Sequence, residues 1–178
     1  GLAGVFRDRG RDPLGQGTDG GVGEEDLAAR DAVYLTGIAS LHYGMADKRR
    51  VDQALLKIVH VSDSSSLVLI ATDDRPFLVE SLGIAFAEIG VAVRMLVHPV
   101  LHVRRDGRGR LLSTHDVAHE HTRAESWQLY EIDRLWDAES TARLESRLHA
   151  ALEHVQLAVT DWIAMRAKVH RAIDQLAK

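Results

Sequence analysis

The chain has 178 residues, 46% of them hydrophobic and 27% charged, with a formal net charge of -4 and no cysteine. That length and balance predict one compact soluble domain with appendages and a sizeable core. The missing thiols exclude disulfides, thiolate nucleophiles and cysteine-ligated zinc, and they fit a cytoplasmic setting. The acidic excess argues against a general binder of nucleic acid or anionic membrane. No apolar run approaches the roughly 18 residues that cross a bilayer, and the N-terminus lacks a signal-peptide series.

Residues 1–23, "GLAGVFRDRGRDPLGQGTDGGVG", hold eight of the fourteen glycines and few large apolar residues. Such a segment cannot offset its ordering entropy by burial and reads as a flexible arm. It begins with Gly1 rather than Met, the beginning expected of a piece of a longer chain. From Glu24 the pattern changes. Leu27, Tyr34, Leu35, Ile38, Leu41, His42 and Met45 fall near helical spacing, predicting an amphipathic helix to about Lys48.

Two strands are predicted next, "ALLKIVHV" (54–61) and "SLVLIAT" (66–72), joined by the turn-forming "SDSSS". The second is apolar at almost every position, which predicts a strand covered on both faces. "PFLVESLGIAFAEIG" then sets Leu78, Leu82, Ala85 and Ile89 on one helical stripe, with Gly90 placed to end the helix. In "VAVRMLVHPVLHV" the apolar residues alternate as in a strand, and Pro99, unable to donate a ladder hydrogen bond, predicts an edge or a bulge. "RRDGRGR" (104–110) reads as a hairpin turn in which Gly107 and Gly109 supply positive φ, followed by a short strand near Leu111 and Leu112. A polar loop over 113–125 leads to a further strand, "SWQLYEID" (126–133).

From Ala138 to Lys178 there is no proline or glycine, and apolar residues alternate in 4-3 spacing. Leu148, Val155, Trp162 and Val169 lie on that seam, the pattern of helices packed lengthwise. About 40 residues at 1.5 Å each approach 60 Å. The first part is expected to cover the sheet and the remainder to need a partner surface. The element order predicts an α+β fold with an antiparallel sheet and helices on one face, plus an N-terminal helix and a long C-terminal helix. The domain division that follows is arm 1–23, domain 24–157 and helical extension 158–178.

Asp73 and Asp74 are adjacent and point in different directions at a strand end, so they do not converge on one substrate atom. The favoured role is a helix start, with Asp74 or Arg75 near the N-cap and Pro76 in the first turn. Backbone N–H groups at such a turn also make a natural carboxylate site. His115, His119 and His121 in "HDVAHEH" lack an HExxH pattern and sit in a polar loop, so no metal is expected. His98 and His102 read as packing or surface histidines. The arginines of "RRDGRGR" read as a solvated turn ahead of a phosphate or RNA contact. There is no GxSxG, P-loop or GxGxxG between strand and helix.

Three motifs, "TDDRPFLVESL" (72–82), "HPVLHVRRDGRGRL" (98–111) and "ESWQLYEI" (125–132), in that order, resemble the N-terminal region of the bacterial large NAD-specific glutamate dehydrogenases. The helix "DLAARDAVYLTGIASLHYGMADKR" (26–49) and the tail "VTDWIAMR" (159–166) are similar too. The resemblance implies an ACT-like βαββαβ domain, also called ferredoxin-like, with a regulatory or assembly role. It also implies that NAD and the catalytic residues belong to later parts of a parent enzyme. That parent oxidatively deaminates L-glutamate to 2-oxoglutarate and ammonia, so no cofactor and no catalysis are expected in this segment. Later domains of the same chain, a homo-oligomer and an amino-acid effector are the implied partners, without nucleic acid or membrane. Asp73, Asp74 and Arg75 are the residues an effector would meet, Arg75 being the natural carboxylate partner. Phe77 departs from the family pattern, where a glycine follows the turn proline, which bears against close ligand approach. The alternative is a stand-alone amino-acid-sensing module of the same fold.

Overall fold

The computed structural model describes residues 32–135 and 137–176. The predicted arm over 1–23 and the start of the first helix lie outside the described residues. A helix α1 (Ala32–Ala46) precedes a hairpin of β1 (Leu55–His60) and β2 (Ser65–Asp73). Then come α2 (Leu78–Ile89), β3 (Val93–Val97), β4 (Val100–Arg105), β5 (Leu111–His115), β6 (Arg123–Asp133) and α3 (Ala138–Leu176). The six strands form one antiparallel sheet in the order β1-β2-β6-β4-β5, with β3 also paired to β6.

β3 and β4 are one line of chain interrupted at His98–Pro99. Val97 pairs with Leu129 and Val100 with Ser126 on the same partner strand. At the interruption Trp127 N–H donates to Pro99 O at 3.0 Å. The proline thus occupies a break in which its missing donor costs no ladder bond.

β2 is buried at eight of its nine positions because both sheet faces are covered. Val68 and Ile70, with Tyr130 and Ile132 of β6, meet Leu82 and Phe86 of α2 and Leu144, Leu148 and Val155 of α3. On the other face Leu67 and Leu69 meet Ile38 of α1, and Ala71 packs with Ala46, Leu101 and Trp127. The two helices expected on one face are there, and the N-terminal helix closes the opposite one. In a βαββαβ order a strand after the second helix would flank the first strand. Here β1 takes that edge from the N-terminal side, and α3 runs on as a helix.

Residue chemistry sets the ends of α2 and α3. Gly90 caps α2 at φ 77°, its N–H returning to Ala87 O, as its position predicted. The other end of α2 departs from expectation. Its N-cap is Phe77 at φ 68°, with no side-chain cap, so neither Asp74 nor Arg75 caps the helix. α3 has the side-chain cap that α2 lacks. Asp137 Oδ1 accepts from Ser140 N–H at 2.6 Å, which holds that carboxyl below its usual range. α3 runs unbroken across 157/158, and the change there is in burial. Leu144, Leu148, Ala151 and Val155 are buried, whereas Leu157 and Trp162 are exposed.

Candidate functional site

The β2–β6 register sets Asp73 directly opposite Glu125, two carboxylates facing across a strand pair on the α1 side of the sheet. Like charges so placed repel. Arg49, three residues beyond the end of α1, resolves the conflict. Its Nη2 donates to Asp73 Oδ1 at 2.5 Å and to Glu125 Oε1 at 2.7 Å, and its Nη1 donates to Gln53 O at 2.6 Å. A second guanidinium completes the group. Arg105 Nε and Nη2 grip Glu125 Oε1 and Oε2 at 2.7 and 2.9 Å, the bidentate fork that suits arginine. Trp127 Nε1 adds a fourth donor to Glu125 at 3.0 Å. Arg105 Nη1 also donates to Ala46 O at 2.9 Å, placing a cation on the negative end of α1.

Arg49 is 2% exposed and Glu125 1%, so both charges are fully desolvated. Burial works to lower the Arg49 pKa, yet the hydrogen bonds to Asp73 and Glu125 outweigh it and the net shift is upward. For Glu125 burial works upward, and the bonds from Arg105, Arg49 and Trp127 outweigh it, holding the carboxyl below its usual value. Both groups therefore stay charged. The network is electrically closed and holds four separate segments together, a structural role rather than a reactive one.

The same cluster reaches the surface through Asp73. Its Oδ2 accepts from Asp52 N–H at 2.7 Å, and Asp52 in turn pairs with Arg75 at 2.5 Å. Asp52 and Phe77 both adopt left-handed backbone, at φ 61° and 68°. Of the three turn residues read from the sequence, Asp73 is drawn inward to Arg49 and Arg75 is engaged by Asp52. Asp74 is exposed, its N–H bonded to Ala124 O at 3.1 Å. The structure thus links Asp73 with Arg75, which lie 3.5 Å apart, by way of Asp52. Phe77 is 67% exposed and packs into no core.

Of the seam residues, Leu148 and Val155 face the sheet within this chain. Trp162 is 59% exposed, and the Val169 side chain lies outside the described residues. His115 and His119 meet edge to face with ring centroids 4.7 Å apart, and among the described residues no group of three metal-ligating side chains forms. No helix of the described residues is long and apolar enough to cross a membrane.

The sequence pattern assigns no site role to Arg49, Arg105 or Glu125, and it places Arg105 in a solvated turn. It is instead the bidentate partner of Glu125. Gly107 was expected to share the positive φ of that turn, and Gly109 carries it, at φ 84°. A signal for the network was present in the sequence. Each conspicuous motif contributes one member: Asp73 from 72–82, Arg105 from 98–111, Glu125 from 125–132, and Arg49 from the end of the helix 26–49.

Fold and site together define an ACT-like α+β module whose sequence motifs build a buried charge cluster beside the strand-to-helix turn. Comparison with known proteins agrees. Residues 20–148 match the family model for the ACT1 domain of glutamate dehydrogenase, and the chain belongs to that family. It is also similar to the NAD-specific glutamate dehydrogenase of Halomonas elongata, 29% identical over 163 residues. That alignment takes in 85% of this chain and 10% of the relative, so the chain spans about a tenth of that enzyme's length.

Proposed function

We propose that this segment is a non-catalytic regulatory and assembly module of a cytoplasmic NAD-specific glutamate dehydrogenase. The parent reaction is L-glutamate, NAD and water giving 2-oxoglutarate, ammonia and NADH, a step of glutamate catabolism. The family match and the Halomonas relative support the parent enzyme. NAD would be held by other parts of that enzyme, since the site described above presents paired, buried charges rather than a phosphate cradle.

One observation carries the assembly role. α3 is 39 residues long, and its burial ends near Val155 and Val159, while Trp162, Met165 and Ile173 beyond are exposed. An apolar stripe continuing past the sheet is stable in water when another surface covers it. That surface is a second copy or a later domain of the same chain. Sedimentation of this chain should give a dimer or larger, shifted toward monomer by Trp162→Glu at unchanged melting temperature. A wild-type monomer would count against self-association and leave docking on later domains.

A second reading, an amino-acid effector at Asp73, Asp74 and Arg75, is favoured by the reachable pair Arg75–Asp52 at the end of the network. A ligand carboxylate would replace Asp52 on the guanidinium. Calorimetry with glutamate and aspartate should then give heat that Arg75→Ala removes, and no heat at millimolar ligand would sink this reading.

A further inference from the structure

The segments 47–53 and 104–110 are far apart in sequence and meet in the fold. Lys48 forms an isolated antiparallel bridge with Arg110. Arg49 N–H donates to Gly109 O at 3.0 Å, and Leu111 N–H to Asp47 O at 2.7 Å. Gly109 permits the approach, since a Cβ there would lie 2.5 Å from Arg49 O. Arg49 and Arg105 turn inward to Glu125, while Lys48, Arg50, Arg108 and Arg110 stay exposed. None of these four side chains makes an ion pair among the described residues.

The acids nearby offset them only in part, Asp106 among them, whose charge attracts Arg108 and Arg110. Asp106 is taken up by the N–H groups of Arg108 and Arg110 at 2.8 and 2.9 Å, which fix the turn and hold its carboxyl below the usual range. Asp52 is engaged by Arg75. Asp47 alone remains as an exposed, uncommitted acid in the two segments. A chain of net charge -4 thus gathers a cationic edge. Lys48 and Arg50 also line an open depression with Val51, Asp52 and Gln53.

From this edge we infer an interaction surface for a carboxylate-rich protein segment, separate from the apolar face of α3. Guanidinium groups pair bidentately with carboxylates, and screening confines the attraction to the local patch, about 8 Å at physiological salt. A nucleic-acid strand would ask for more. It binds through successive phosphate contacts and bases stacked on aromatic rings, and neither segment contains an aromatic residue.

The test uses fluorescence anisotropy on the 178-residue chain with a labelled oligo-glutamate peptide and, in parallel, labelled oligo-uridine of equal length. The peptide should bind saturably and lose affinity by roughly an order of magnitude between about 0.05 and 0.3 M salt. Arg108→Glu combined with Arg110→Glu should weaken it by about tenfold or more. Lys57→Glu, on the exposed side of β1, should leave it unchanged. If the doubly reversed turn fails to fold, Arg50→Gln supplies the same comparison with a smaller expected loss. Absent peptide binding, equal weakening by Lys57→Glu, or tighter binding of oligo-uridine would each overturn the inference.

Discussion

Phe77 combines two costs in one side chain. A bulky residue at φ 68° pays about 1–2 kcal/mol relative to ordinary helical backbone, and a ring two-thirds exposed recovers little of that by burial. Replacing it with glycine removes the steric cost and adds back part of the difference as unfolded-chain entropy. Phe77→Gly is therefore expected to raise the unfolding midpoint, by about 1 kcal/mol in stability, as read by chemical denaturation. His42 makes the opposite kind of contribution. Its Nε2–H donates to Ile70 O at 2.9 Å and its ring stacks on Trp127 at 5.1 Å. Burial lowers its pKa to about 4, the bond to Ile70 opposing the shift. The unfolded chain, with an ordinary histidine near 6.5, binds more protons between those values, so stability falls as pH drops from about 6.5 toward 4. The loss is on the order of 3 kcal/mol. His42→Gln retains a donor without titrating, and the denaturation midpoint should then vary less with pH across that window.

These two residues also mark how far the primary structure can be read. The helix starting near Leu78 was legible from its stripe and from Gly90. Its N-cap was not, because the helix starts at Leu78 behind a left-handed Phe77, past Asp74 and Arg75, and Arg75 is engaged by Asp52, a partner 23 positions away that no local rule supplies. A histidine on an apolar helical stripe was visible, whereas its hydrogen bond to a mid-strand carbonyl depends on which face α1 covers.

Between elements, the decisive contacts join pieces whose sequences look like solvated turns. The β4–β5 turn docks on the chain leaving α1 through Arg49 and Gly109, and Arg105 ties both to β6 through Glu125. Gly109→Ala introduces a Cβ against a backbone oxygen at a positive φ. Neither atom can yield cheaply, so the variant should lose about 2 kcal/mol or more, seen as a lower thermal midpoint. Gly107→Ala meets nothing within 4 Å and should be close to neutral. Elsewhere packing follows local pattern closely. β2 is apolar nearly throughout and lies under helices on both faces, and the break at Pro99 falls where a ladder donor is missing.

Across the chain, α3 packs on the sheet with its first half and runs on past it. Its N-terminal half is fixed by Leu144, Leu148 and Val155 and by Arg147, which pairs with Glu88 of α2 at 2.6 Å. Its far half keeps the same apolar period in sequence, and among the described residues Trp162, Met165 and Ile173 are exposed. The Trp162→Glu experiment therefore separates an intrachain role from an intermolecular one, since a residue left mostly exposed within the chain should affect association more than folding. The cationic edge is a second, charge-based route of contact and fails or stands on different variants.

Periodicity, turn chemistry and the order of three motifs sufficed to determine an α+β domain, its strands and helices, and its likeness to the glutamate dehydrogenase ACT region. Those signals are local, carried by residues within a few positions of one another. Arg49 between Asp73 and Glu125, β1 at the sheet edge, and Lys48 beside Arg110 came from the packed structure. Each depends on which distant segments the sheet brings side by side, and the energy of a charge depends on the neighbours and the burial it finds there.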